Sequence, residues 1–323
     1  MNPNISIALV TYNGEKYIRE QLDSIFNQTI QDFEIVVCDD CSTDSTKNIL
    51  TEYAKKDSRV NLYFNEKNLG FLKNIEKAIK LCKGEFIALA DHDDIWEKEH
   101  LSVLHSNVGE NFLICGDTLY VDKDNNSLNT RLSQVYKIDI NSLKNNDEHL
   151  LRLLVMPNIF QGAAMMINKK FIDFILPLPN RIEYHDWWFA LCAMALNKFV
   201  YVPIVIIRHR RHNSNASSDI EFVEDIVHFY HQKEYMMALI NLPNLSESSR
   251  QIIEKSNLFF LNKKKLLKYH KAIWFWIKYY RVLYATNSKS RFLIRFLKSF
   301  FYYPSRHIAS KIKIRLNLRR ASV

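Results

Sequence analysis

Four short apolar runs divide the first ninety residues, at positions 5–10, 33–38, 60–64 and 86–90, and the stretches between them change period. A strand buried on both faces reads as a continuous apolar run, whereas a helix lying on a sheet repeats its apolar positions every three or four residues. Residues 17–28 place Ile18, Leu22, Ile25 and Phe26 at helical spacing. Residues 42–45 offer several caps ahead of Ile49, Leu50 and Tyr53, and residues 74–82 turn Ile75, Ala78, Ile79 and Leu81 to one side. Gly84 is expected to close that third helix. Such alternation predicts an α/β fold around a mostly parallel central sheet. Ligands of open sheets sit beyond the carboxyl ends of the strands. Thr11, Tyr12 and Asn13, the pair Asp39 and Asp40, and the carboxylates Asp91, Asp93 and Asp94 all fall at such ends.

Beyond residue 110 the pattern is less regular. Residues 112–115 and 118–121 read as strands, 122–126 (DKDNN) as a turn, 143–154 as a helix and 163–167 as a strand. Residues 186–196 read as a helix burying Trp187, Ala190, Leu191 and Met194. A last strand over 200–207 ends at a basic cluster, 208–212. Helical patterns dominate from Asp219, with a break marked by Pro243 and the serines of 246–249. The 323 residues suit one large domain or two ordinary ones, and the division expected is a catalytic α/β domain over 1–217 and a helical basic region over 218–323.

Charge is unevenly distributed. Residues 255–323 hold 18 Lys and Arg and no acid, so of the 44 basic and 35 acidic side chains the first 254 residues keep 26 and 35, a net of −9 against +9 for the whole chain. Cys38 and Cys41 form a C-x-x-C without a second ligand pair, and the five cysteines read as free thiols of a reducing compartment. No basic-then-apolar leader precedes the first strand, and no apolar run reaches about 18 residues. A cytoplasmic protein that does not span the membrane is expected.

Three carboxylates in four positions at a strand end repel one another unless a cation compensates. Hard oxygen donors at this spacing suit Mg²⁺ or Mn²⁺, which commonly bind substrate phosphates as well. The alternative is that Asp93 or Asp94 caps a following helix. Asp40 can accept from a nucleobase imide or a ribose hydroxyl, or simply cap a turn. No G-x-G-x-x-G and no Walker glycine loop is present, which disfavours dinucleotide oxidoreductases and P-loop enzymes.

The segments SIALVTYNGEKYIREQLDSIFNQTIQDFEIVVCDDCSTDST, NLGFLKNIEKAI and GEFIALADHDDIW resemble the family 2 glycosyltransferases of the GT-A fold. QGAAMMINKKF, HDWWFALCAMA and RRHNSNAS resemble the subgroup containing bacterial polysaccharide rhamnosyltransferases, and the likeness spans roughly residues 4–217. The resemblance implies a nucleotide-diphosphate-sugar transferase fold in which Thr11, Tyr12 and Asn13 line the nucleotide site, with Asp40 reading the base. Asp91 and Asp93 take the Asp-x-Asp positions, the metal held chiefly by Asp93, and His92 departs from the usual Gln. Asp186 matches the catalytic base, His212 a late histidine that reaches metal or diphosphate, and Arg210 an arginine two residues before it. The alternatives are a cap at Asp186 and an exposed loop histidine at His212. His185 can share the base role. Trp187 and Trp188 are not expected both to face the core, leaving one to stack on a sugar.

These roles imply a metal-dependent, inverting hexosyl or deoxyhexosyl transfer from a nucleotide-sugar donor to a hydroxyl of a growing, lipid-linked surface polysaccharide of O-antigen or capsule type. By analogy the donor is dTDP-rhamnose first, then UDP-galactose, UDP-glucose or their N-acetyl forms. The aromatic, basic tail, with Phe292, Leu293, Phe296 and Leu297 on one helical face, is expected to lie on anionic lipid at the inner face of the cell membrane. Packing on the catalytic domain is the alternative. Nucleic acid is not an expected partner. A non-catalytic nucleotide- or glycan-binding scaffold and a basic membrane- or nucleic-acid-binding module are the rival readings.

Overall fold

The computed structural model describes residues 3–135, 158–212 except 181 and 183, and 232–261 (side chains of 232–234 and 257–261 excepted), with Leu150 and Leu154. Strands β1 (Ile5–Thr11), β2 (Phe33–Asp39), β3 (Val60–Phe64) and β4 (Phe86–Asp91) alternate with helices α1 (Ile18–Phe26), α2 (Thr46–Lys56) and α3 (Phe71–Leu81). All seven side chains of β1 and all seven of β2 are buried, as continuous apolar runs require. The chain continues through β5 (Ile95–Trp96), α4 (His100–Val108), β6 (Leu113–Val121), β7 (Ser127–Arg131) and the short α5 (Leu132–Val135). After a 3₁₀ turn at Gly162–Ala164 come β8 (Met165–Asn168), α6 (Ile172–Ile175), α7 (His185–Ala195), β9 (Phe199–Arg210), α8 (Gln232–Leu239) and α9 (Glu247–Leu261).

The nine strands form one sheet in the order β3-β2-β1-β4-β8-β6-β9-β5, with β7 on β6. β1 pairs in parallel with both β2 and β4, β2 with β3 and β6 with β9, and these long registers make the sheet mostly parallel. The shorter β4–β8, β6–β8, β5–β9 and β6–β7 ladders are antiparallel. Strand order reverses at β1, so the crevice between β1 and β4 opens above Thr11 and Asp91.

Several boundaries differ from expectation for identifiable reasons. Helix α3 ends at Leu81, and Gly84 is not its left-handed cap. A Cβ on Gly84 would lie 2.6 Å from the backbone nitrogen of Ser6, so the glycine permits close approach to β1. The two expected strands over 112–121 are one, whose register shifts beside Gly116, where a Cβ would meet Ile206 at 2.3 Å. Strand β9 runs on to Arg210, which carries much of the basic cluster into the sheet. Ser246 caps α9 by accepting from the Ser249 backbone at 3.1 Å. Tyr235, Met236, Leu239, Leu242, Ile252 and Ile253 belong to the same apolar core as the sheet. The expected boundary at 217, most of the 143–154 helix and the tail from 262 lie outside the described residues.

Candidate active site

The β5–β9 ladder builds the acidic centre. Ile95 pairs with Arg208 and Trp96 with Ile207, so the following residues of β9 run beside the turn of residues 92–94. No helix starts at that turn, and α4 begins only at His100, so neither Asp93 nor Asp94 is a helix cap. Asp94 is completely buried and its Oδ1 accepts from His209 Nδ1 at 2.8 Å and from the Arg210 backbone at 3.3 Å. Burial lowers the affinity of His209 for its proton, but the charge and hydrogen bond of Asp94 outweigh this and raise it overall. His212 Nε2 lies 3.0 Å from Asp93 Oδ2, with 11% and 13% of these side chains exposed. Burial alone would raise the Asp93 carboxyl; the His212 hydrogen bond and the neighbouring His92 and His209 outweigh it and bring it to about 2. Burial and the charges of Asp94 and Asp93 push Asp91 the other way, well above the usual carboxylate range.

Arg210 does not face solvent as expected of a diphosphate ligand. Its side chain is 1% exposed. Nε donates to the Asp93 carbonyl at 3.1 Å, one terminal nitrogen to the Lys123 carbonyl at 2.9 Å and the other to Glu20 Oε2 at 2.8 Å. The guanidinium also lies 4.5 Å from the Tyr17 ring centroid, and the same ring meets His212 at 4.9 Å. Its observed work is to hold the Asp93 backbone. Sequence reasoning missed Tyr17, Glu20 and His209. Tyr17 and Gln21, four apart on one helical face, were the available signal for the first.

Across the crevice, Asn13 has a left-handed backbone (φ 49°) and its side-chain carbonyl accepts from the Thr43 backbone at 2.9 Å, while Ser42 Oγ accepts from the Asn13 backbone at 2.8 Å. The Thr11 hydroxyl is buried without a hydrogen-bond partner, and Tyr12 is exposed. Asp39 accepts from the backbone and hydroxyl of Ser42 and so closes the turn. Asp40 accepts from Asn65 Nδ2 (2.8 Å), Leu69 N (2.7 Å) and Gly70 N (2.9 Å). A carboxylate has about four lone-pair sites, so roughly one remains for a ligand.

The third element is α7. Asp186 Oδ1 accepts from its neighbour Trp187 N at 2.8 Å and Oδ2 from Gly162 N at 3.1 Å. Burial raises its carboxyl; His185, these two backbone bonds and the Asn158 side chain restrain the rise. Its charge contributes to the upward push on Asp91, which joins the two centres electrostatically. His185 is buried against Phe71 and Phe189, and burial lowers its affinity for a proton. The two tryptophans correct an expectation: Trp187 is 1% and Trp188 3% exposed, so neither ring is left for a sugar. Every side chain from Trp187 to Ala195 is buried, because this helix is surrounded rather than laid on one face of the sheet. Trp188 satisfies its indole nitrogen on the Ile175 carbonyl at 3.0 Å.

A divalent cation fits the first centre. Asp93 and His212 converge at 3.0 Å with Asp91 beside them, a hard oxygen donor and an imidazole. Among the described residues no group of three His, Cys, Asp or Glu side chains encloses an ion, so other ligands would come from water and substrate phosphate. The cysteines are free, and burial raises the Cys38 thiol to about 11, as for an inert core residue. No helix among the described residues is long and apolar enough to cross a membrane.

The family model described as glycosyl transferase family 2 matches residues 6–175, and the chain belongs to this family. The chain is 27% identical to the EpsH glycosyltransferase of Bacillus subtilis over 84% of its own length and 73% of that protein. It is 34% identical to the Escherichia coli UDP-Glc:alpha-D-GlcNAc-diphosphoundecaprenol beta-1,3-glucosyltransferase WfgD, over 44% of this chain and 55% of that one. In fold it is similar to the mannosyltransferase PcManGT of Pyrobaculum calidifontis in complex with GDP-Man and Mn²⁺, with a TM-score of 0.56, 17% identity, and coverage of 96% of this chain and 84% of that one. GT-A architecture and glycosyltransferase class follow.

Proposed function

We propose that the chain is a metal-dependent, inverting transferase that moves a hexosyl or deoxyhexosyl unit from a nucleotide-diphosphate donor to a hydroxyl of a growing, lipid-linked bacterial polysaccharide. The observation that carries this reading is the pairing of two carboxylate centres: Asp93 on His212 at 3.0 Å, and Asp186 near enough for its charge to act on Asp91. Asp93 and His212 would hold Mn²⁺ or Mg²⁺, which when bound neutralises charge growing on the leaving diphosphate. Asp186 takes the proton from the acceptor hydroxyl, oriented by Gly162 N and Trp187 N. One displacement then inverts the anomeric centre. Thr11, Tyr12, Asn13, Asp91 and the remaining lone pair of Asp40 serve the nucleotide. Arg210 and His209 hold the acidic turn in place. The substrates of WfgD and the ligands of PcManGT support a nucleotide-sugar donor, a lipid-diphosphate acceptor and a divalent ion. The basic residues of 255–323 suit attachment to an anionic membrane face.

Thermal-shift titration with UDP, dTDP, GDP and CDP, each with and without Mn²⁺, tests the reading. One nucleotide should stabilise the fold only with metal, and Asp93→Ala should abolish the metal dependence. Asp186→Asn should keep donor binding and lose transfer. No shift with any nucleotide would sink the proposal.

A further inference from the structure

The helix that carries Asp186 lacks a side-chain cap of its own. Its first residues are fixed from outside, by Tyr235 of α8. The Tyr235 hydroxyl accepts from the Tyr184 backbone nitrogen at 3.2 Å and donates to the Tyr184 carbonyl at 3.4 Å. Tyr184 is the extended residue (φ −131°, ψ 123°) immediately before α7, and the same carbonyl receives the Trp188 nitrogen at 3.3 Å. The Tyr235 ring is buried against Trp187 at 4.9 Å and Trp188 at 6.4 Å. One side chain from a later helix thus grips the backbone two residues before Asp186 and the rings one and two residues after it. On the other side the carboxylate meets the Gly162 nitrogen and the Asn158 side chain, both from outside the helix.

We infer that Tyr235 is a positioning residue for the transfer reaction, its hydroxyl setting the start of the α7 helix so that Asp186 stays on the Gly162 N–H and aimed at the acceptor. The inference rests on Asp186 being the base. A hydroxyl is the part that matters: a phenyl ring would pack on Trp187 equally well but loses both hydrogen bonds that tie the Tyr184 backbone to α8. Small displacements of a catalytic group are costly, about 10²-fold for about 1 Å.

The test compares Tyr235→Phe and Tyr235→Leu in the full chain with Asp186→Asn. Transfer rate at saturating substrates, its pH profile, donor nucleotide affinity and melting temperature are measured for each. Tyr235→Phe is expected to lower kcat at least about tenfold, on the scale of such displacements. It should move the acid limb of the profile to higher pH, because loss of the Gly162 bond removes a restraint on the Asp186 carboxyl, and leave donor affinity within about twofold. Tyr235→Leu, which also removes the ring, should melt lower with little further loss of kcat. An unchanged limb, a kcat that merely follows melting temperature across the two variants, or a weakened donor would each overturn the inference. Retained transfer in Asp186→Asn would instead remove the base assignment itself, and the inference with it.

Discussion

Asp93 and Asp186 are both partly buried aspartates, yet their surroundings drive them apart. Three imidazoles bring Asp93 to about 2, so it is an anion at every working pH, as a cation ligand should be. Asp186 has one imidazole, whose affinity for a proton burial lowers, and its carboxyl rises. The active base is the deprotonated form, so transfer should fall as pH drops, along a limb lying above the ordinary aspartate value of about 3.9. A kcat profile at saturating donor that stays flat down to that value would contradict the role. Asp94 predicts something different. Removing it in Asp94→Ala leaves His209 without its partner in a buried site, which should cost about 3–5 kcal/mol in denaturant unfolding. A loss under about 1 kcal/mol, the scale of exposed ion pairs, would mean the pair is not buried in solution.

At the scale of elements, the alternating half of the chain was legible because β1, β2 and most of β4 are buried on both faces and each helix on one, while the edge strand β3 kept its apolar run though only half-buried. The acidic turn was legible by composition but not by partner. Only pairing of the two-residue β5 with β9 brings His209 and His212 to Asp94 and Asp93, and two residues carry no period of their own. The tryptophan error has the same source. A one-face pattern fails for α7, which is buried all round. The β5–β9 junction makes its own prediction through His100, which stacks on Trp96 at 3.8 Å and meets the Ile206 carbonyl at 3.1 Å through Nδ1. Burial lowers its affinity for a proton to about 3 from 6.5. The unfolded chain therefore binds a proton first, and the stability His100 contributes is present above pH 6.5 and is lost as pH falls toward 3. His100→Leu should be less stable at pH 7 by about 0.5–1.5 kcal/mol, since the Ile206 carbonyl loses one hydrogen bond and keeps the one from the Glu97 backbone. That gap should narrow steadily in urea midpoints taken from pH 7 to 4. A gap independent of pH would show that His100 does not titrate this way.

For the whole molecule, the helical pattern expected beyond 219 does not say what its apolar faces meet. Six of those side chains, Tyr235, Met236, Leu239, Leu242, Ile252 and Ile253, lie in the same core as the sheet. At about 1.5–3 kcal/mol for each buried side chain, their removal amounts to on the order of 10 kcal/mol, comparable to the whole stability of a domain. The helical region therefore divides in energetic terms within itself. Its first part belongs to the catalytic fold, and only the residues after α9 are candidates for a separable membrane-binding tail. Two truncations distinguish this from a boundary at 217. A chain ending at 261 should unfold cooperatively and retain nucleotide binding, while losing flotation with anionic vesicles because 17 of the 18 cations of the basic region are removed with the tail. A chain ending at 217 should lack a cooperative transition and expose apolar surface to a hydrophobic dye. If it instead melts within a few degrees of the full chain and binds nucleotide, α8 and α9 are an accessory layer, and the grip of Tyr235 on α7 is dispensable to the fold.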